Sequence, residues 1–177
     1  MNETLRIIRE RRSCRSYKKD PIPADMLDAI IEAGLWAPTG MNRQDRHFTV
    51  IRDSAMLDRM NALTRANMPE DIQARLAGRN GGNTDISVHY FAPALIMLSG
   101  GEASCALAAE NICIAAQSLG IGSCILGLVT ILFDNDQTLA GDLKIPPGMV
   151  PRLGVSLGYI SRQTPEQGRN PGQITYV

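Results

Sequence analysis

The stretch from Ser104 to Gly127 constrains this chain more than any other. It reads Ser-Cys-Ala-Leu-Ala-Ala-Glu-Asn-Ile-Cys-Ile-Ala-Ala-Gln-Ser-Leu-Gly-Ile-Gly-Ser-Cys-Ile-Leu-Gly. Leu107, Asn111, Ile114 and Ser118 fall on one helical stripe, and Ala106, Ile112, Cys113 and Ala116 cover most of the other faces. A helix that is apolar nearly all round belongs in a core or against another subunit. Glu110, Asn111 and Gln117 make it too polar to span a membrane. Ala108, Ala109, Ala115 and Ala116 let neighbouring backbones come close. Gly120 is placed to end the helix. Gly122, Ser123 and Gly127 then bracket a short apolar run, where a flat group would lie against main chain.

The rest of the chain is long enough to build that core. Its 177 residues make one domain, 1–177, that buries roughly two-thirds of its unfolded surface. Lys plus Arg total 18 and Asp plus Glu total 18, so net charge argues for neither nucleic acid nor a membrane surface. Cys14, Cys105, Cys113 and Cys124 include no CxxC pair and read as buried, reduced thiols. Arg6, Arg9, Arg11 and Arg12 interrupt any apolar signal core at the N-terminus, which points to a cytoplasmic protein.

In chain order, residues 3–11 read as a short amphipathic helix with Leu5, Ile8 and Ile7 inward. Leu27, Ile30, Ile31 and Leu35 repeat at helical spacing from Pro23 to Trp36. His47 to Arg52 is rich in strand formers. Ser54 caps a helix running to about Ala66. From Asn67 to Asp85 the chain turns polar, with Gly78, Gly81 and Gly82 near its end, and reads as an excursion or lid with a short helix between Pro69 and Ala77. Ala94 to Ser99 is a central strand. After the long helix come a loop, a helix near Asn135 to Leu143, and a buried strand from Pro151 to Tyr159 with Val155 and Leu157 inward. The polar tail ends in Ile174-Thr175-Tyr176-Val177, a strand-like tetrapeptide suited to docking on another surface.

Two clusters carry chemistry. Arg11, Arg12 and Arg15 stand within five residues of one another, beside Ser13 and Ser16. Guanidinium forks match phosphate oxygens, and hydroxyls add neutral donors. The competing reading is a solvated basic face offsetting the dipole at a helix C-terminus. Pro38-Thr39-Gly40-Met41-Asn42-Arg43-Gln44 concentrates hydroxyl, amide and flexible backbone, and Asn and Gln suit a heterocycle with mixed edges. Taken alone, it reads as a helix-ending turn. His47 and His89 lie far apart with no carboxylate pattern, so no metal site is expected. GxSxG, Walker A and HExxH are absent. No catalytic acid, base or nucleophile is identifiable, so in an enzyme the reactivity would come from a cofactor.

Together these segments resemble the FMN-dependent nitroreductase family. Arg11-Arg12-Ser13-Cys14-Arg15-Ser16-Tyr17 is similar to its Arg-Arg-Ser-x-Arg-x-aromatic signature. Ala37 to Gln44 is similar to Ala-Pro-Ser-x-x-Asn-x-Gln. Ala92-Pro93, the helix ending at Ser118 to Cys124, Leu157-Gly158-Tyr159 and Gly168-Arg169-Asn170-Pro171 follow in the family's order. The resemblance implies an α+β sandwich, with a mostly antiparallel central sheet flanked by helices, in an intertwined homodimer. The long helix would lie at the subunit interface and the tail would extend onto the partner. FMN would sit between subunits. Arg11, Arg12, Ser13 and Arg15 would hold its phosphate, ribityl chain and part of its ring, and Arg169 would close on the phosphate. Pro38, Thr39, Gly40 and Asn42 would reach the ring from the other subunit. Ile125, Leu126 and Gly127 would offer main chain and an apolar wall, and Asn61 would reach the ring edge.

The activity so implied is an FMN-dependent oxidoreductase with NADH or NADPH as donor. By a ping-pong scheme, the nicotinamide leaves before a nitroaromatic, a quinone or another electron-poor acceptor enters. Arg15 is the candidate to stabilise charge on the flavin ring. Two alternatives stand beside this: a non-enzymatic flavin-binding or redox-sensing protein, and a thiol-based redox protein using Cys14 or Cys124, with the Cys14 thiolate favoured among arginines. One departure stands out. The family's Gln-Pro-Trp-His is here Gln44-Asp45-Arg46-His47, a cation in place of an aromatic at the flavin entrance.

Overall fold

The computed structural model describes residues 1–79, 82, 85–136, 138–170, 172 and 174–177. Its helices are α1 (Glu3–Glu10), α2 (Ala24–Leu35), α3 (Ser54–Asn67), α4 (Glu70–Arg79), α5 (Glu102–Ser118), α6 (Ile131–Asn135) and α7 (Leu139–Asp142). Its strands are β1 (Arg46–Ile51), β2 (Ala94–Gly100), β3 (Gly122–Leu126) and β4 (Pro151–Gly158). They form one sheet in the order β1-β2-β4-β3, every pair antiparallel. The expected α+β sandwich with an antiparallel sheet is the observed architecture. Gly81 of the expected lid, Gln137 of the expected 135–143 helix and Pro171 of the C-terminal motif lie outside the described residues.

β2 shows why the sheet is covered on both sides. Successive side chains of a strand point to opposite faces. Leu95 and Met97 pack with Leu57, Met60 and Val129 on one face, while Ala94, Ile96 and Leu98 pack with Ile30, Ile112 and Val155 on the other. The continuous apolar run is thus two half-cores interleaved. α5 supplies the second face through Cys105, Ala108, Ala109, Ile112, Cys113 and Ala116, all fully buried. The close approach of α2 to it is set by a glycine on α2. A Cβ on Gly34 of α2 would stand 2.8 Å from Ile112 Cγ1, and Asn111 Nδ2 donates to the Ala33 carbonyl at 3.0 Å. Gly120 ends α5 with φ +73°. Its N–H bonds Gln117 O at 3.1 Å and the Ile121 N–H bonds Ala116 O at 2.8 Å, the paired bonds of a Schellman stop.

On α5, Ala103, Ala106 and Leu107 are exposed in the single chain, and Leu107 retains 47% of its surface, so cover for that face would come from outside the chain. Several other expectations are corrected. On α1 only Ile7 is buried, and Leu5 and Ile8 face outward. α3 is capped by Asp53, whose carboxylate accepts from the Met56 N–H at 2.7 Å, not by Ser54. The loop expected after α5 contains β3, and the single helix expected at 135–143 is the short pair α6 and α7. The Ile174 to Val177 tail is exposed and pairs with no strand of its own chain, so the surface it was expected to dock on would lie outside the chain. Among the described residues, no helix is long and apolar enough to cross a membrane.

Candidate functional site

After α1 the chain turns extended at Arg11 (φ −53°, ψ 132°) and runs beside β3. Ser13 bridges to Ser123 in parallel, and the Cys14 N–H donates to Ser123 O at 2.8 Å. Two residues set this seat. A Cβ on Gly122 would stand 2.9 Å from Cys14 Cβ and 2.7 Å from Ile160 Cγ1, so only glycine lets the segment lie this close. The Tyr17 hydroxyl bonds Cys14 O and Ser156 Oγ, each at 2.8 Å. What lies against main chain at Gly122 is therefore the chain's own N-terminal segment. With Cys14 turned inward and buried, the extended alternation turns Ser13 and Arg15 outward.

The outward groups meet the C-terminal segment. Arg11, Arg12, Ser13, Arg15 and Arg169 line one groove of about 100 Å³ together with Thr164, Pro165 and Gln167. A second groove of about 340 Å³ is lined by Arg15, Ser16, Arg162, Gln163, Thr164 and Pro165, so Arg15 borders both. Residues from the two ends of the chain thus converge, as the ordered motifs implied. The cations differ in how far they are committed. Arg12 donates to Arg9 O at 2.6 Å and Arg11 O at 2.9 Å, and pairs with Glu166 at 3.1 Å. Arg11 meets Glu110 more loosely, at 3.6 Å. Arg15 lies 6.0 Å from the centroid of the Tyr90 ring, and its Nε is buried without a partner. A buried, unpaired guanidinium N–H is costly unless a ligand takes it.

The second motif lies elsewhere. Gly40–Asn42 forms a 3₁₀ turn ahead of β1. Thr39 Oγ1 accepts from the Gln44 N–H at 3.0 Å, and Asn42 N–H donates to Thr39 O at 3.0 Å. Met41, Asn42 and Gln44 all adopt positive φ, at 53°, 52° and 50°. Such conformations in residues other than glycine store strain and cluster at functional sites. The sheet register measures the separation. Ser13 stands level with Ser123, Leu157 and Ala94, while β1 begins at Arg46 opposite Gly100. Four strand spacings across and six residues along place the motifs roughly 28 Å apart. They cannot meet within one chain.

Other expected site residues are placed as follows. Pro38, Thr39, Gly40 and Asn42 share this loop. Ile125 and Gly127 are exposed at the end of β3, whereas the Leu126 side chain packs into the core. Asn61 joins neither groove: it is buried in the wall of another cavity, which His89 also lines. Arg46, in place of the family's aromatic, donates from Nη2 to Leu35 O and to Ala37 O and lies 6.0 Å from the Phe48 ring centroid. It holds the end of α2, where a cation is favoured. Asp45 accepts from Ser104 Oγ at 2.6 Å. The unfamiliar pair therefore ties the loop to α2 and α5. The Cys14 and Cys124 thiols are pushed up by burial, and Cys113 is pushed up to about 11, which corrects the expectation of a favoured thiolate at Cys14. Sequence reasoning missed Tyr90, Thr164, Pro165 and Gln167. Only the neighbouring Gly168-Arg169 marked that part of the tail, and nothing marked Tyr90.

The fold and this arrangement define an α+β protein with a guanidinium-lined groove at one edge of its sheet and a strained polar loop at the opposite corner. The nitroreductase family model matches residues 8–159. An Archaeoglobus fulgidus protein, provisionally named NADH dehydrogenase/NAD(P)H nitroreductase, is 33% identical over 160 residues, covering 90% of this chain and 86% of the relative. A Bacteroides fragilis nitroreductase crystallised with bound FMN is 32% identical with a TM-score of 0.88, covering all of both chains. A Desulfitobacterium hafniense nitroreductase with bound FMN is 29% identical with a TM-score of 0.90, covering 100% of this chain and 99% of that one. The chain belongs to the nitroreductase family.

Proposed function

We propose that this chain is an FMN-dependent NAD(P)H oxidoreductase, working as a cytoplasmic homodimer on nitroaromatic, quinone or related electron-poor acceptors by a ping-pong scheme. One observation carries the reading. Arg11, Ser13, Arg15 and Arg169 surround a single groove, while Thr39 to Asn42 stands across the sheet. An anionic end is held by one chain, and a two-fold partner would bring its own loop to the other end. The exposed apolar side chains of α1 and α5, Leu5, Ile8 and Leu107, offer the surface for that partner.

The residues fit FMN. Arg11 and Arg169 face the small groove and take the phosphate through charge-assisted bonds. Arg15 borders both grooves, and its buried Nε is free to donate toward the ring. Ile125 and the open main chain at Gly127 supply the wall, and the partner's loop supplies Pro38, Thr39, Gly40 and Asn42. Asn61 lines neither groove and is assigned no flavin contact. When bound, FMN supplies the two-electron chemistry between a nicotinamide and the acceptor. The protein orients both and excludes water. The test compares FMN with riboflavin by fluorescence quenching of the flavin-free protein. Loss of the phosphate removes charged hydrogen bonds worth about 1.5–3 kcal/mol each, so riboflavin is expected to bind at least about tenfold more weakly. Equal affinities would overturn the phosphate assignment. Bleaching of the bound flavin by NADH or NADPH tests the enzymatic half.

A further inference from the structure

A cavity of about 440 Å³ opens between α3, the 89–94 segment and the 19–22 turn. None of its lining residues borders the arginine grooves. Its depth is polar and its walls are apolar. His89 is 1% exposed and its Nδ1 has no partner; Asn61 is 4% exposed and its Oδ1 has none. Ile22, Leu57, Pro93 and Ala94 are wall residues, with Phe91 part-exposed at one side. Lys19 and Arg52 contribute two cations against the single carboxylate of Asp58. Polar groups this deeply buried are normally paired. A pocket of this size, mostly apolar with a few convergent polar groups, is the ordinary form of a small-molecule site.

We propose that this cavity is a second small-molecule site, separate from the flavin grooves, that takes an aromatic carboxylate bearing a hydroxyl or amino group. The ring lies among Ile22, Leu57 and Pro93. The carboxylate meets Lys19 and Arg52. A hydroxyl both donates and accepts, so it satisfies Asn61 Oδ1 and His89 Nδ1 together. Burial holds the His89 imidazole neutral, with its pKa lowered to about 4, so it offers a hydrogen bond rather than a charge.

The probe is 4-hydroxybenzoate, titrated calorimetrically into the purified protein with whatever flavin it carries. One saturable site per chain is expected, with the flavin absorption spectrum unchanged. Benzoate, which lacks the hydroxyl, and phenol, which lacks the carboxylate, are each expected to bind about tenfold more weakly. His89→Phe keeps a planar ring and removes the nitrogen, and an equal loss is expected there. Should that variant fail to fold, the exposed Lys19→Gln is expected to weaken 4-hydroxybenzoate about fivefold with unchanged thermal stability. Asn42→Ala is expected to bind the probe as the parent does. The proposal is overturned by no saturable heat up to about 5 mM, by equal affinity in His89→Phe or Lys19→Gln, or by binding that shifts the flavin spectrum and weakens in Asn42→Ala. That last pattern would place the probe over the flavin.

Discussion

The Arg11 to Tyr17 segment and the Pro38 to Gln44 loop are both short, polar and irregular, yet they are built in opposite ways. The first is clamped by a bridge to Ser123, by two Tyr17 hydroxyl bonds and by the Thr164 hydroxyl donating to Ser13 O at 2.9 Å. Every residue in it is at least half-buried. The second holds itself by local bonds from Thr39, carries three strained residues and leaves Met41 87% exposed. Trp36, just before it, is 79% exposed. The first segment is held in place by its own chain. The second is strained and exposed with apolar neighbours, which is the form expected of a loop that the proposed two-fold partner would cover.

Disturbing the clamped seat should have the largest effect. Gly122→Val places methyl groups where Cys14 and Ile160 already stand within 3 Å. Overpacking of this kind costs about 3 kcal/mol, a fall in Tm of roughly 6–12 °C for a chain of this size, and FMN binding should fall with it. Unchanged thermal unfolding would show that the seat is not tight. Acid should loosen the same side next. His89 adjoins Tyr90, which lies beneath Arg15. The unfolded chain's imidazole takes up a proton below pH 6.5, whereas the folded one stays neutral to about 4. The stability from this group is therefore complete above pH 6.5, drains as pH falls and is gone below about pH 4. The loss is at most about 3 kcal/mol. His89→Phe should flatten it in denaturant titrations at pH 7 and pH 4. Protection factors at residues 13–17, taken relative to the intrinsic exchange rate at each pH, should fall on acidification before those of the loop. The smallest effect belongs to Met41→Gly. Relief of the left-handed conformation offsets the added chain entropy, so stability should stay within about 0.5 kcal/mol. A loss of several kcal/mol there would mean that the loop is as firmly built as the N-terminal seat.

Much of this was legible in the residues, for reasons that can be named. α2, α5, β2 and β4 carry enough periodic apolar surface for their local pattern and tertiary role to agree. β3 does not. Gly122 and Ser123 weaken any strand signal, and the strand exists because β4 pairs with one side and Ser13 with the other. Leu5, Ile8 and Leu107 read as core because an apolar side chain does not say whether its cover comes from its own chain. The arginines of the site were visible as a cluster. Thr164, Pro165 and Gln167 were not, since a tail meets its groove only after folding. Asn61 shows the converse: its helical position was legible, but the cavity it lines depends on the 89–94 segment.

We propose that the clamped segment of one chain and the strained loop of its partner complete one flavin site. Co-expressed Arg15→Ala and Asn42→Ala chains test it most directly. In the mixed dimer, one site would carry both lesions and the other neither. Titration with FMN should therefore recover about half a tight site per subunit, although each parent variant binds poorly. If both motifs served the same site from one chain, each site in the mixed dimer would carry one lesion. Verified heterodimers of folded variants that show no tight FMN site would contradict the account.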